Sequence, residues 1–418
     1  MRVLMISTED VRGGAAKAAY RLHKGLRAGG EESALLVMNK ASDDQFVYSP
    51  RSNVRKGFDS LRISINHLPE ILYPHRSGAS FHSQWLPNWL LPRIRKANPQ
   101  IVHLHWTCRG FLSIRSIGKI KTPIVWTLHD MWPFTGGCHY SGSCDRYKES
   151  CGICPHLSSH SNLDLSFWIL RAKKKNWDTK NMTLVAPSRW MKDRASESSL
   201  FKTANIHVIP YGVDLQRFRP FHRDTLRDLF GLPRNAKILL FVAMSATRDK
   251  RKGFDHLCLS LQELAGSGLA GDIQLAVIGS STPISIKGIP FKAHYMGTFF
   301  DEITLSMIYA ACDVFIAPSL EDNLPNTVLE SLASGLPSVA FDVGGISEMI
   351  EHKKNGYLAK AGDVGDLAHG IAWLLEDKGR WLSLSHQARE KATAEFDISL
   401  IADKYKHIYH NLVSNGLY

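Results

Sequence analysis

A chain of 418 residues, 44% hydrophobic and 22% charged, is longer than one hydrophobic core usually supports, so two domains of roughly 200 residues each are expected. This composition excludes a disordered, collagenous or disulfide-framework protein, and no apolar run approaches the ~18 residues that a membrane span needs. The charge is uneven: residues 1–205 carry 30 Lys+Arg against 15 Asp+Glu, whereas residues 206–418 carry 21 against 24, so the first half offers a basic surface to anionic lipid, phosphorylated substrates or nucleic acid, or serves solubility alone.

The opening residues Met1 to Asp10 have too short an apolar run and no cleavage site for a signal peptide, so a cytoplasmic location is expected. Val3-Leu4-Met5-Ile6 reads as a buried strand, and the loop Asp10 to Ala16, with Gly13 and Gly14, leads into a helix over Ala15 to Ala28. Glycines there let a backbone approach an anion at the helix N-terminus, or simply make a tight turn, and the spacing departs from G-x-G-x-x-G. Ala34 to Val37, Ile101 to Leu104, Ile124 to Trp126 and Leu184 to Ala186 continue the strands. His129 and Asp130 follow the run Ile124 to Trp126, where a side chain emerges at a carboxyl strand end, and Asp130 is placed to orient the His129 ring; His103 and His105 lie near another such end.

Four of the seven cysteines then cluster as Cys138, Cys144, Cys151 and Cys154, with His156 close behind. Four thiolates in a Gly- and Ser-rich loop with no apolar core of its own suit a structural zinc ion, the alternatives being disulfides or reduced, unligated thiols. The insertion 131–157 is expected to overhang a cleft, with Trp132, Phe134, His139 and Tyr140 toward an acceptor.

Ile206 to Pro210 reads as the last strand before a second alternating set, giving domains over 1–205 and 206–418. In the second set Ile238 to Ala243, Leu275 to Ile278, Val314 to Ala317 and Ser338 to Phe341 are strands, and Phe254 to Ala265, Glu302 to Ala311 and Asn326 to Ala333 are helices. Beyond Asp363 the chain reads as helical, a tail able to pack back on the first domain. The fold class is α/β, with two Rossmann-like, doubly wound parallel sheets facing a cleft.

The richest stretch is Ser319 to Glu330. Glu321 and Asp322 lie in the loop after a strand, Pro325 suits the first helical position, and the amides of Asn326 and Thr327 point along the helix dipole toward a bound phosphate. Glu330 lies one turn on, on the face of Asn326, and leans back toward the N-terminus, where a carboxylate can accept the two hydroxyls of a ribose or can cap its own helix.

Together with Gly13-Gly14-Ala15, Trp126 to Asp130, Ile209 to Asp214, Arg251-Lys252-Gly253, Gly335 to Ala340 and Gly344 to Glu348, these residues resemble glycosyltransferase family 4, the retaining transferases of GT-B fold. The resemblance implies ribose binding by Glu330, a donor-sugar role for Asp322 where the family usually has Glu, and His129 beside the reacting sugar. It implies a diphosphate clamp in which Lys252 matches, while Ala246 stands at the usual Arg position and Arg248 and Arg251 are nearby substitutes. A nucleoside-diphosphate sugar (UDP- or GDP-linked), a saccharide or lipid-linked acceptor and no catalytic metal or redox cofactor follow from it, and the basic first half adds an expected peripheral contact with an anionic inner membrane. The stretch Asp130 to Cys138 resembles members that assemble exopolysaccharide, capsule or lipopolysaccharide. Sugar-nucleotide epimerisation or hydrolysis on the same fold is the alternative, and nucleic-acid binding lacks stacking motifs or a recognition helix.

Overall fold

Runs rich in Val, Ile and Leu that are buried on both faces pair in one direction, because crossover helices then cover both sides of the sheet. In the computed structural model, which describes residues 1–49, 61–88, 90–242, 249–266, 273–279 and 291–414, two such sheets form. The first contains β1 (Arg2–Glu9), β2 (Glu32–Asn39), β3 (Val47–Tyr48), β4 (Ile101–Leu104), β5 (Ile124–Thr127), β6 (Met182–Ala186) and β7 (Ile206–Val208), in the order β3-β2-β1-β4-β5-β6-β7. The second contains β8 (Lys237–Val242), β9 (Ile273–Ile278), β10 (Lys292–Gly297), β11 (Val314–Ala317), β12 (Ser338–Phe341) and β13 (Gly356–Ala359), in the order β10-β9-β8-β11-β12-β13. All the pairings within both sheets are parallel. Strand order reverses between β1 and β4 and again between β8 and β11, the two points where loops leaving the carboxyl ends diverge and leave room for a ligand.

The chain divides into one unit of Met1–Pro210 with Ile401–Tyr418 and another of Tyr211–Leu400. The boundary falls at Pro210, five residues beyond the expected 205, since β7 completes the first sheet by pairing with β6. Among the described residues no helix is long and apolar enough to cross a membrane.

The last helix, Ile398–Ser414, presents Ile401, Tyr405, Ile408 and Tyr409 to a core that includes Val3, Met5, Leu22 and Val125 of the first unit. Its tyrosines also satisfy buried polar groups of the sheet. Tyr409 Oη lies 2.6 Å from His103 Nδ1, His103 Nε2 lies 2.8 Å from Thr127 Oγ1, and Thr127 Oγ1 lies 2.9 Å from Tyr405 Oη. In the second unit the matching anchor is ionic: Asp313 accepts from buried Arg227 at 2.5 Å, from Arg223 at 2.7 Å and from the Ile238 amide at 2.6 Å, which ties the chain entering β8 to the chain entering β11.

Tyr409→Ala opens a cavity and strands His103, so it is expected to lower unfolding stability by about 3–5 kcal/mol, and Tyr409→Phe, which removes only the hydroxyl, by about 1–2 kcal/mol. Chemical denaturation of the full chain measures both, and equal costs would show that the hydroxyl ladder, not packing, dominates.

Candidate active site

At the reversal of the second sheet, the loop after β11 is held from two sides by turns that only glycine can make. Gly253 has φ +66°, and a Cβ there would lie 1.7 Å from the Pro318 carbonyl oxygen; Gly344 has φ +57°, and its Cβ would lie 1.8 Å from the Asp322 carbonyl oxygen. The short 3-10 turn Lys250–Lys252 therefore packs directly on the loop. Within it, Lys252 Nζ donates to Asp322 Oδ2 at 2.6 Å, Arg251 Nη1 donates to the Glu321 carbonyl at 2.9 Å and Nη2 to Asp249 Oδ2 at 2.7 Å, and the Leu320 amide donates to the Arg251 carbonyl at 2.7 Å. Arg251 thus braces the acidic loop, while Lys252 carries its charge to the strand end. Asp322, rather than Glu321, is the acid that meets the lysine. Ala246 and Arg248, the other positions considered for the clamp, lie outside the described residues.

The helix Asn326–Ala333 starts immediately after this loop, with Pro325 as its capping residue (φ −67°, ψ 122°) rather than its first helical residue. The expected register moves by one position, because Pro325 keeps an extended ψ and its carbonyl accepts from Val328 and Leu329. The amides of Asn326 and Thr327 still come first at the positive end of the helix, ahead of the intrahelical ladder. Glu330 is only 2% exposed, and its Oε2 accepts a hydrogen bond from Tyr309 Oη at 3.1 Å. A buried carboxylate needs such donors, and Tyr309 is one of its partners.

At the reversal of the first sheet, Gly13 and Gly14 lie where the helix Gly14–Ala28 begins, with Gly13 at φ +94° as its capping residue. Nothing crowds a Cβ at Gly13, so the positive φ, not space, selects glycine there. Asp10 fixes the same loop by accepting from the amides of Val11, Ala41 and Ser42.

Histidines dominate the neighbouring strand ends. His129 Nε2 lies 2.9 Å from His105 Nδ1, and the His103 and His105 rings lie 4.1 Å apart. Burial pulls His129 down to about 4 despite nearby Asp130, and pulls His103 and His105 well below their ordinary value, so the three rings are neutral at pH 7. His105 Nε2 is buried without a hydrogen-bond partner among the described residues, an atom that a bound hydroxyl would satisfy. Asp130 orients a different ring from the one expected: it accepts from His139 Nδ1 at 2.6 Å, Trp106 Nε1 at 2.9 Å and the Trp132 amide at 2.9 Å. His139 Nε2 in turn lies 2.6 Å from His82 Nδ1, giving an Asp130–His139–His82 relay. The sequence offered no short spacing for it, since 57 residues separate the two histidines.

Trp132 and Phe134, expected over an acceptor, are core residues at 2% and 0% exposure, because Trp132 packs on Trp126 and Trp177 and gives its indole N–H to the His82 carbonyl. Tyr140 is partly exposed and stacks on Trp190. Cys138, Cys144, Cys151 and Cys154 are all free thiols that line one cavity of about 20 Å³. Burial pushes the Cys151 thiol up to about 12, and Cys138 and Cys154 are raised by burial and by the other thiols of the group. Lys173, wholly buried, donates to the Trp132 carbonyl and, at 2.9 Å, to the Thr135 carbonyl, beneath the turn that starts this insertion.

Residues 12–217 match the family described as Glycosyltransferase Family 4, and residues 236–377 match Glycosyl transferases group 1. A Campylobacter jejuni protein named N,N'-diacetylbacillosaminyl-diphospho-undecaprenol alpha-1,3-N-acetylgalactosaminyltransferase is 28% identical over 212 residues, 49% of this chain and 54% of its own length. An Escherichia coli putative colanic acid biosynthesis glycosyl transferase, WcaC, is 23% identical over 368 residues, 84% of this chain and 85% of its own. The chain spans about half the length of most of the curated relatives it matches. Anabaena HepE, solved in complex with UDP and glucose, superposes with a TM-score of 0.64 at 15% identity over 98% of this chain and 99% of its own, which places this chain in the GT-B fold.

The neutral histidines set a pH dependence. An unfolded histidine binds a proton near pH 6.5, whereas His129 and His23 in the folded chain do so only near 4, so between those values the unfolded state takes up protons that the folded state refuses. Stability is therefore whole above pH 6.5 and lost as pH falls toward 4, by ~3 kcal/mol for His129 alone. Urea midpoints at pH 7, 5.5 and 4.5 are expected to drop steeply, and a flat series would contradict buried neutral rings.

Proposed function

The chain belongs to glycosyltransferase family 4, and on that premise we propose that it is a retaining transferase that moves a sugar from a UDP- or GDP-sugar to a saccharide or lipid-linked saccharide during assembly of a bacterial surface polysaccharide. The observation that carries this reading is the Lys252–Asp322 pair set against the start of the helix that buries Glu330, all at the reversal of the second sheet. Lys252 and the amides of Asn326 and Thr327 hold the donor diphosphate, Glu330 receives the ribose hydroxyls, and Asp322 lies toward the donor sugar. Relatives named for transfer to undecaprenyl-diphosphate-linked saccharides support the acceptor class.

In the reaction the bond between the anomeric carbon and the diphosphate oxygen breaks, and the acceptor oxygen bonds to that carbon on the same face of the sugar. The acceptor proton passes to the departing diphosphate. Negative charge grows on the leaving group, where Lys252 and the helix dipole oppose it without reorganising. His129, being neutral, hydrogen-bonds sugar hydroxyls rather than pairing with a charge. Charge stabilisation thus falls to protein groups, and the reading calls for no catalytic metal or redox cofactor. The basic residues of 1–205, net +15, rest against anionic lipid where the lipid-linked acceptor resides.

With labelled UDP- and GDP-sugars and an undecaprenyl-diphosphate-linked saccharide, acceptor-dependent transfer with retained anomeric configuration is expected; sugar release that ignores the acceptor would sink the reading. Lys252→Ala should lower kcat/KM by about 100-fold, and Glu330→Gln should act mainly by raising the donor KM.

Low-salt sedimentation with liposomes should show binding to anionic but not neutral vesicles, weakening as salt screens the charge. Equal binding to both would remove the membrane contact and leave the transferase reading intact.

A further inference from the structure

The insertion after His129 contains a feature that sugar transfer does not use. Between Thr135 and Asp164 its regular structure consists of two single 3-10 turns, Arg146–Lys148 and Pro155–Leu157, yet Cys138, Cys151 and Cys154 are buried in it and Cys144 is half-buried. We infer that Cys138, Cys144, Cys151 and Cys154 bind one Zn²⁺ as a tetrathiolate structural site that closes the insertion.

Four side chains drawn from a 17-residue stretch line one cavity of about 20 Å³, room for a single ion or water. The Cys151-x2-Cys154 turn is built for this in its backbone: Cys151, Gly152 and Ile153 have φ of +57°, +90° and +44° in succession, a run of left-handed residues that surrounding contacts must enforce. Those contacts are present. The Gly152 amide donates to Ser166 Oγ at 2.9 Å, the Cys154 amide to Asp164 Oδ2 at 2.8 Å, and a Cβ on Gly152 would lie 2.3 Å from the Asn162 carbonyl oxygen.

Burial holds the sulfurs of Cys138, Cys151 and Cys154 as thiols until a cation is bound, and hydrogen-bond donors stand close enough to meet the charge that binding brings out. Backbone N–H groups of His156 and Leu157 face the Cys154 sulfur, that of Gly136 faces Cys151, and the Thr135 hydroxyl faces Cys138. Charge points the same way. Wholly buried Lys173 makes no salt bridge to a carboxylate among the described residues and lies within electrostatic reach of Cys138 and Cys151. Zn²⁺ with four thiolates carries a net charge of −2, which would add to Asp130 as negative charge near the buried Lys173. Binding releases the four thiol protons.

No three of the four sulfurs stand within 4.8 Å of one another, so capture of the ion tightens the loop. The group of donors that does stand that close, His82, Cys108 and His139, has His82 Nδ1 and His139 Nε2 already joined at 2.6 Å, with Asp130 on the far side of His139, and works as a hydrogen-bonded relay.

Full-length protein made in zinc-sufficient medium and purified without chelator is expected to hold about one zinc per chain. Cys144→Ser and Cys151→Ser are expected to bring this to about a tenth or less, while Cys108→Ser, Cys258→Ser and His156→Gln keep it. Should the serine variants prove insoluble, the wild-type chain reloaded with Co²⁺ decides: thiolate charge-transfer and tetrahedral d–d absorption support the site. Negligible zinc with no cobalt spectrum, an intact mass showing disulfides, or full zinc in Cys144→Ser and Cys151→Ser each overturns it, as does loss of zinc in Cys108→Ser.

Discussion

The ion pair between Lys252 and Asp322 exists because two glycines let backbone close around one loop. With a side chain at Gly253 or Gly344, the loop after β11 would meet a carbon where its own carbonyl oxygens lie, 1.7 and 1.8 Å from the would-be Cβ atoms. The pair itself adds little to stability, since Lys252 is nearly a third exposed and such pairs contribute about 0–1 kcal/mol. Its weight is positional. A flexible lysine is held at a strand end, beside the positive end of a helix, so an anion arriving there finds a counter-charge in place. The buried Arg227–Asp313 pair, below the amino ends of β8 and β11, keeps those two strands in the register that makes this arrangement possible.

The first unit adds chains of hydrogen bonds among uncharged side chains to its ion pairs, such as the buried one between the Met1 ammonium and Glu31. Tyr409, His103, Thr127 and Tyr405 link the last helix to β4 and β5, and His105 and His129 extend the polar region to the carboxyl ends of those strands. In the Asp130–His139–His82 relay the carboxylate makes His139 Nδ1 the donor to Asp130 and turns His139 Nε2 toward His82 Nδ1 at 2.6 Å. Such networks rigidify a site when every member is satisfied. The one unsatisfied ring atom among the three strand-end histidines, His105 Nε2, is therefore the informative one.

Strands and helices that bury continuous apolar runs were legible from the chain alone: Val314–Ala317, Ser338–Phe341, Glu302–Ala311 and Asn326–Ala333 stand where hydrophobic patterning puts them. Three strands escaped it. Val47–Tyr48 is two residues long, Lys292–Gly297 is a polar edge strand with no fully buried residue, and Gly356–Ala359 opens on glycine. At the site, Asp322 and Glu330 lie eight residues apart on one loop and one helix turn, whereas Lys252, 70 residues from Asp322, was readable only through the resemblance of its Lys-Gly step to the family. The orienting role of Asp130 was not, because its partner His139 arrives through an insertion and His82 through a segment far upstream. Burial of Trp132 was equally hidden, as an aromatic after a strand end can face solvent or core, and Trp126 and Trp177 decide for the core.

The same insertion couples stability to chemistry. Phe81 and Cys138 form an isolated antiparallel bridge, the His82 amide donates to the Gly137 carbonyl, and the His139 amide donates to the Ser80 carbonyl. Two short pieces of extended chain are thereby zipped together, and it is this zipper that sets His82 against His139. Gly137 has φ +125°, and a Cβ on it would strike the Phe81 ring at 2.6 Å, so the zipper tolerates no side chain there. Lys173 holds the carbonyls of Trp132 and Thr135 from beneath, fixing the chain between Asp130 and Cys138. Whatever orders residues 138–154 therefore also orders the ring that Asp130 orients. Apolar packing contributes to that order, since Tyr147 and Leu157 are buried in the core of the first unit and Tyr147 lies against Phe134, so the cysteine cluster and the histidine relay share one packed segment.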